Sequence, residues 1–194
     1  MSNRNEATHI IYIPGFGDTY DGFRRTALRW WRYRNITVSM VSLDWQFGTF
    51  RQKMAAIDAA IDAVKDKKIV LVGESAGGGM AVYTYAHRPK DIARVVTICG
   101  KNTKPETVGR HYLEYSPAFR DLMSGLNGAL QRLTDRQRRN IVSLYPFFDS
   151  VVPVRDTMVP GCQRVRLWTV GHLFTIFLAL TFFSPFVVRA VRKR

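Results

Sequence analysis

The pentapeptide Gly73-Glu74-Ser75-Ala76-Gly77 places a serine at the centre of a segment with glycine at both ends. It follows a short, mostly β-branched run at 69–72, of the kind buried on both faces of a sheet, and opens a helical pattern over 76–86. A strand that breaks into a helix through so short a turn lifts the serine hydroxyl above the sheet edge. The unpaired N–H groups at the helix start favour negative charge there. Glycine on either side lets strand and helix approach closely. Such a serine can act as a nucleophile once a base reaches its hydroxyl. A phosphate loop is the competing use of a glycine-rich turn. The chain has no G-x-x-x-x-G-K-[ST], and Gly77-Gly78-Gly79 does not fit the dinucleotide fingerprint.

The elements that must position this serine alternate along the chain. Residues 8–13 read as a strand ended by the turn Pro14-Gly15-Phe16-Gly17, and residues 21–34 suit a helix. A second strand is expected over 36–43. In 51–66, Met54, Ile57, Ile61 and Val64 recur at spacings of three and four, one face of a helix. Further strands are expected at 69–72, 93–99, 141–145 and 165–170, with 73–75 as the turn at the serine. Between 101 and 140 only helical pieces fit, around 117–126 and 130–139, as an ordinary crossover or a small lid. This alternation predicts one α/β domain over 1–194, with a mainly parallel sheet of about six strands and helices on both faces. Four histidines are available as a base. His9 falls inside a strand, His87 at a helix end and His111 in the helical stretch. His172 follows the last strand as Thr169-Val170-Gly171-His172, where an imidazole can reach the serine.

With these residues in view, the chain resembles the α/β-hydrolases. Gly-Glu-Ser-Ala-Gly-Gly at 73–78 is similar to the elbow of carboxylesterases and lipases. The family's order of strand, oxyanion loop, elbow, acid and histidine can be followed from His9 to His172. There are departures. The family's His-Gly is Pro14-Gly15 here, the esterase His-Gly-Gly-Gly loop is absent, and the family's first antiparallel strands are expected to be missing. The resemblance implies a triad of Ser75 as nucleophile, His172 as base and Asp149 as acid, because Asp149-Ser150-Val151-Val152-Pro153 resembles the family's acid loop. Asp156 competes as the acid and is set aside as a surface residue beside Arg155. His111 is the runner-up base but precedes the acid. The resemblance also places an oxyanion hole at the backbone N–H groups of Ala76 and Phe16, with Gly17 as the alternative. It implies cleavage of small-molecule acyl esters or lipids without metal or cofactor. Thioesterase, amidase or acyltransferase chemistry, or a catalytically silent interaction protein, are the alternatives.

Lysine and arginine total 29 against 15 acidic residues, a net charge of +14. Such a chain is drawn to anionic partners. The basic residues are scattered, with no zinc-finger spacing, RNP-like motif or long basic arm, which argues against specific nucleic-acid recognition. Cys99 and Cys162 are too few for a disulfide framework, and Cys99 sits in an apolar run. Together with a polar start at 1–6, this points to a reduced, cytoplasmic setting. From Leu167 to Val188, 22 residues carry no Lys, Arg, Asp or Glu, enough by length to span a membrane. Gly171-His172 interrupts them, so the stretch is read as strand, loop and an apolar, basic-ended helix over 173–194. A buried C-terminal helix is the favoured reading. Shallow docking on an anionic membrane and self-association are the alternatives. The sequence does not define an oligomeric state.

Overall fold

Runs of Ile, Val and Leu set the strands. In a computed structural model that describes residues 7–32 and 35–192, they form β1 (Thr8–Ile13), β2 (Ile36–Met40), β3 (Lys68–Glu74), β4 (Ile92–Ile98), β5 (Ile141–Tyr145) and β6 (Gln163–Arg166). The spatial order is β2-β1-β3-β4-β5-β6, and all neighbours run parallel. The chain steps outward from β1 to β2, then returns past β1 to lay down β3. That reversal opens a crevice at the C-terminal ends of β1 and β3, where a parallel sheet presents a ligand site. No antiparallel pairing occurs among the described residues.

Eight helices connect and cover the described strands: α1 (Asp21–Leu28), α2 (Phe50–Asp62), α3 (Ala76–His87), α4 (Arg110–Tyr115), α5 (Pro117–Arg132), α6 (Asp135–Arg138), α7 (His172–Leu180) and α8 (Ser184–Arg192). Period-two alternation in β1 sends Ile11 and Ile13 to one face and Ile10 and Tyr12 to the other. The first face packs on Ile57 and Ile61 of α2, Met80 of α3 and Leu122 and Leu126 of α5. The second packs on Leu28 of α1, Ile176 and Leu180 of α7, and Val187 and Val191 of α8. This is the expected α/β architecture of six parallel strands with helices on both faces.

Several boundaries differ from the sequence reading. The helix expected over 21–34 gives way after Leu28 to a 3-10 turn at Arg29–Trp31, and residues 33 and 34 lie outside the described set. β2 ends at Met40. β3 continues through Gly73 and Glu74, so the turn is Ser75 alone. The last strand is Gln163–Arg166, not 165–170. It lies at the sheet edge with alternating partial exposure, so polar side chains suit it, and Val170 makes only an isolated bridge with Phe148. The pieces expected at 117–126 and 130–139 are one helix through Arg132, followed by the short α6. Gly125 inside α5 is a close-approach residue rather than a break, since a Cβ there would lie 3.0 Å from the Tyr83 ring of α3. The single helix expected over 173–194 is two, α7 and α8, bent by 73°, and residues 193 and 194 lie outside the described set.

Candidate active site

Ser75 sits between β3 and α3 at φ 50°, ψ −120°, a strained backbone for a residue with a side chain. The surroundings impose it. A Cβ on Gly73 would lie 2.2 Å from the Gly77 carbonyl oxygen, and one on Gly77 would lie 2.2 Å from that of Ile13. Ser75 occupies the N-cap of α3, yet its side chain makes no capping hydrogen bond, which forgoes about 1 kcal/mol of helix stabilisation. Its hydroxyl meets His172 instead, with Oγ 2.9 Å from Nε2.

His172 opens α7 and is buried. Its Nδ1 lies 2.7 Å from the Asp149 carboxylate, so Nδ1 carries the proton and Nε2 is free to accept from the serine. Asp149 is buried in the loop after β5. Its other oxygen accepts the N–H groups of Val151 and Val152, each at 2.9 Å. Burial alone would raise the Asp149 pKa, but the His172 contact and these two N–H donors outweigh it and hold the carboxyl below its usual range. Cys99, at the end of β4, sets its thiol against the same carboxylate. Burial first, then the neighbouring Asp149 and Glu74 charges, push the thiol's pKa well up. The Cys99, Asp149 and His172 donor atoms lie within 4.8 Å of one another. A metal there would need the thiolate that this setting disfavours, and the Nδ1 that Asp149 already holds.

The Pro14–Gly17 loop follows β1 and is tied at each residue. Trp45 Nε1 donates to the Pro14 carbonyl at 3.0 Å, and the Gly15 N–H donates to Glu74 at 3.3 Å. Arg24 donates to the Phe16 and Gly17 carbonyls at 3.0 and 2.7 Å. The same guanidinium bonds Glu74 and Asp21, so all five of its N–H donors have an acceptor. Tyr12 donates its phenolic hydroxyl to Glu74, and burial with that contact raises the phenol's pKa well above its usual value. These ties leave the N–H groups of Phe16 and Gly17 as the loop's remaining donors. Gly15 is required here, because a Cβ would fall 2.8 Å from that of Ser75. Ala76 and Phe16 line a cavity with Ser75, whereas Gly17, at φ 90°, has its carbonyl bonded to Arg24 and to the Tyr20 N–H.

The competing residues fall elsewhere. Asp156 is not at the surface: it is fully buried, and its carboxylate pairs with Lys101 at 2.7 Å and accepts from Thr107. Burial raises its pKa, but Lys101 and Thr107 overcome that and lower it on balance. His9 bridges Thr37 and Ser39 of β2, His87 bonds the Tyr83 carbonyl, and exposed His111 lies against Tyr112.

Two cavities meet at Ser75. The smaller, about 50 Å³, runs past Ala76, Lys101, Thr107 and Phe119. The larger, about 430 Å³, lies between α1 and α7 and is lined chiefly by Tyr20, Phe23, Leu173, Ile176, Phe177 and Leu180, with His172 at its inner end. A serine oxygen hydrogen-bonded to an imidazole that a carboxylate holds in turn, opening on an apolar trough, is an arrangement suited to attack on a carbonyl carbon.

A model of the alpha/beta hydrolase fold matches residues 8–146, and the chain belongs to that family. The match holds Ser75 and stops short of Asp149 and His172. Among solved structures the chain is similar to the Paleococcus ferrophilus monoacylglycerol lipase, with TM-score 0.65 and 14% identity over 95% of each chain. It is also similar to Est1E from Butyrivibrio proteoclasticus, with TM-score 0.68 and 13% identity over 97% of this chain and 90% of that one. The thioesterase domain from the curacin biosynthetic pathway gives TM-score 0.66 and 13% identity, covering 100% and 93%. At these identities the likeness is one of fold. No curated protein matches by sequence.

Proposed function

We propose that the protein is a serine hydrolase cleaving carboxylic esters with an apolar acyl chain, using Ser75, His172 and Asp149 as its triad. The observation that carries this reading is the unbroken relay from Ser75 through His172 to Asp149, at 2.9 and 2.7 Å. In this scheme Ser75 Oγ attacks the ester carbonyl while His172 Nε2 takes its proton. Asp149 holds the imidazole tautomer and stabilises the cation. The N–H groups of Ala76 and Phe16 receive the carbonyl oxygen as it becomes negative, a role worth about 3–4 kcal/mol for a single donor. His172 then gives its proton to the leaving alkoxide, and water, activated by the same imidazole, releases the acid and restores Ser75. The trough between α1 and α7 suits the acyl chain.

Ser75→Ala is expected to lower kcat on p-nitrophenyl esters by at least about ten-thousandfold and to abolish labelling by a fluorophosphonate. Wild-type turnover by that variant would overturn the reading. Thioester hydrolysis on the same relay is the second reading, favoured by the likeness to the curacin thioesterase domain. Parallel assays of an acyl ester and the matching acyl thioester separate the two.

A further inference from the structure

Beyond Asp156 the chain carries no Asp or Glu and six basic residues, Arg164, Arg166, Arg189, Arg192, Lys193 and Arg194. Within this one-signed segment lies a band of exposed hydrocarbon. Trp168 is 84% exposed, Phe182 76% and Leu173 68%, with Val170, Phe174 and Phe177 exposed between them. The band is continuous with the substrate trough, since Phe177 stacks on Phe23 at 5.4 Å and both line the larger cavity. At its other end Trp168 packs on Phe147, and the Arg166 guanidinium lies 5.2 Å from the Phe147 ring. α8 repeats the pattern, exposing Phe186, Arg189 and Arg192 while burying Val187, Val188, Ala190 and Val191.

We propose that this band rests on the surface of an anionic phospholipid membrane, with its aromatic side chains among the acyl chains and its arginines at the head groups. Two observations select this occupant. A second copy would set one acid-free basic face against another, with no carboxylate in the segment to pair with it. A spanning arrangement would pull Ile176, Leu180, Val187 and Val191 out of the core, and would break the bonds from Trp31 Nε1 to the Leu180 carbonyl and from Arg94 to the Ala190 carbonyl. Among the described residues no single helix is long and apolar enough to cross a bilayer. The inner faces of α7 and α8 belong to the protein, and their outer faces suit the interface. On the hydrolase reading, on which this last step rests, a lipid ester passes from the bilayer into the trough without crossing water.

The test is co-sedimentation of the full chain with vesicles of phosphatidylcholine alone or mixed with phosphatidylserine. The Ser75→Ala protein is run in parallel, so that docking is read independently of turnover. Binding is expected only to the mixed vesicles, weakening as salt rises. Trp168→Ser/Phe174→Ser/Phe182→Ser, at three positions that line neither cavity, should reduce the bound fraction at least about tenfold with an unchanged thermal melt. Wild type left in solution at low salt would overturn the proposal. So would equal binding to both vesicle types, a triple variant that binds like wild type, or a dimer that the triple variant abolishes while vesicles capture neither form.

Discussion

Beneath Ser75 the protein buries charge, and around the mouth of the site it exposes hydrocarbon, the reverse of the usual arrangement on both counts. Arg24, Glu74, Lys101, Asp149, Asp156 and His172 are all buried at the floor, while Tyr20, Phe23, Leu173 and Phe177 stand exposed at the rim. Burying an ion costs several kcal/mol unless a partner meets it. Each floor charge is met: Arg24 pairs with Glu74 and Lys101 with Asp156, while Asp149 accepts the His172 Nδ1–H and two backbone N–H groups. Paired charges of this kind have few alternative geometries, so the floor fixes donors and acceptors around the serine. Apolar contact is non-directional and adapts to what it meets. On the proposed hydrolase reading the difference assigns geometry to the floor and recognition to the mouth, and substitutions in the two regions should fail in different ways.

The largest effect belongs to the floor. Asp156→Asn strands the buried Lys101 ammonium and is expected to cost about 3–5 kcal/mol at neutral pH, measured by urea unfolding. The Asp156 pKa is lower folded than unfolded. Its contribution is therefore complete above the usual carboxylate range and is lost as pH falls through the folded value. The gap between wild type and variant should close on acidification; a gap constant with pH would remove the ion pair from the account. Next is Arg24→Gln, which releases the Phe16 and Gly17 carbonyls together. A loss in kcat of about a hundredfold is expected, equal for short and long acyl esters. Arg24→Lys should not restore it, because an ammonium with three donors cannot meet the four acceptors that the guanidinium holds. A loss confined to KM for long chains would move Arg24 from the floor to the mouth.

How far the sequence carries depends on the separation of the residues concerned. The elbow is local, so five consecutive residues in a strand-to-helix setting identified it. His172 and Asp149 could be named because the family resemblance supplies a chain order, and the structure brings both to Ser75. The supporting charges lie far apart in sequence. Arg24 is 50 residues from Glu74, Tyr12 is 62 from it, and Lys101 is 55 from Asp156. Read singly, Arg24 is one more basic residue in a basic chain, and Asp156 beside Arg155 looks like surface. Only the fold shows that their charges are shared with partners across the sheet edge. The C-terminal break had a local signal, since Ser184-Pro185 is a helix-start pair. The apolar run around it hid that signal, because hydrophobicity alone does not distinguish one long helix from two short ones.

The smallest effect tests the mouth. Phe177 stacks on Phe23 across the trough and is 42% exposed, so Phe177→Ala removes a wall without opening the core. Stability should change by less than about 1 kcal/mol, since little buried contact is lost. Because the Phe177 side chain makes none of the hydrogen bonds of the Ser75–His172–Asp149 relay, kcat on an acetate ester should stay at the wild-type value. A long acyl chain lying against the ring would lose about 1–2 kcal/mol of contact, raising KM several-fold to about thirtyfold as chain length grows. Steady-state kinetics on esters of increasing length separate the two regions, because floor variants scale all substrates alike while a mouth variant tilts the series. A Phe177→Ala protein that loses short and long esters equally would mean that α7 sets the position of His172 through its outer face as well as its inner one. The division between floor and mouth would then fail at the helix that both share.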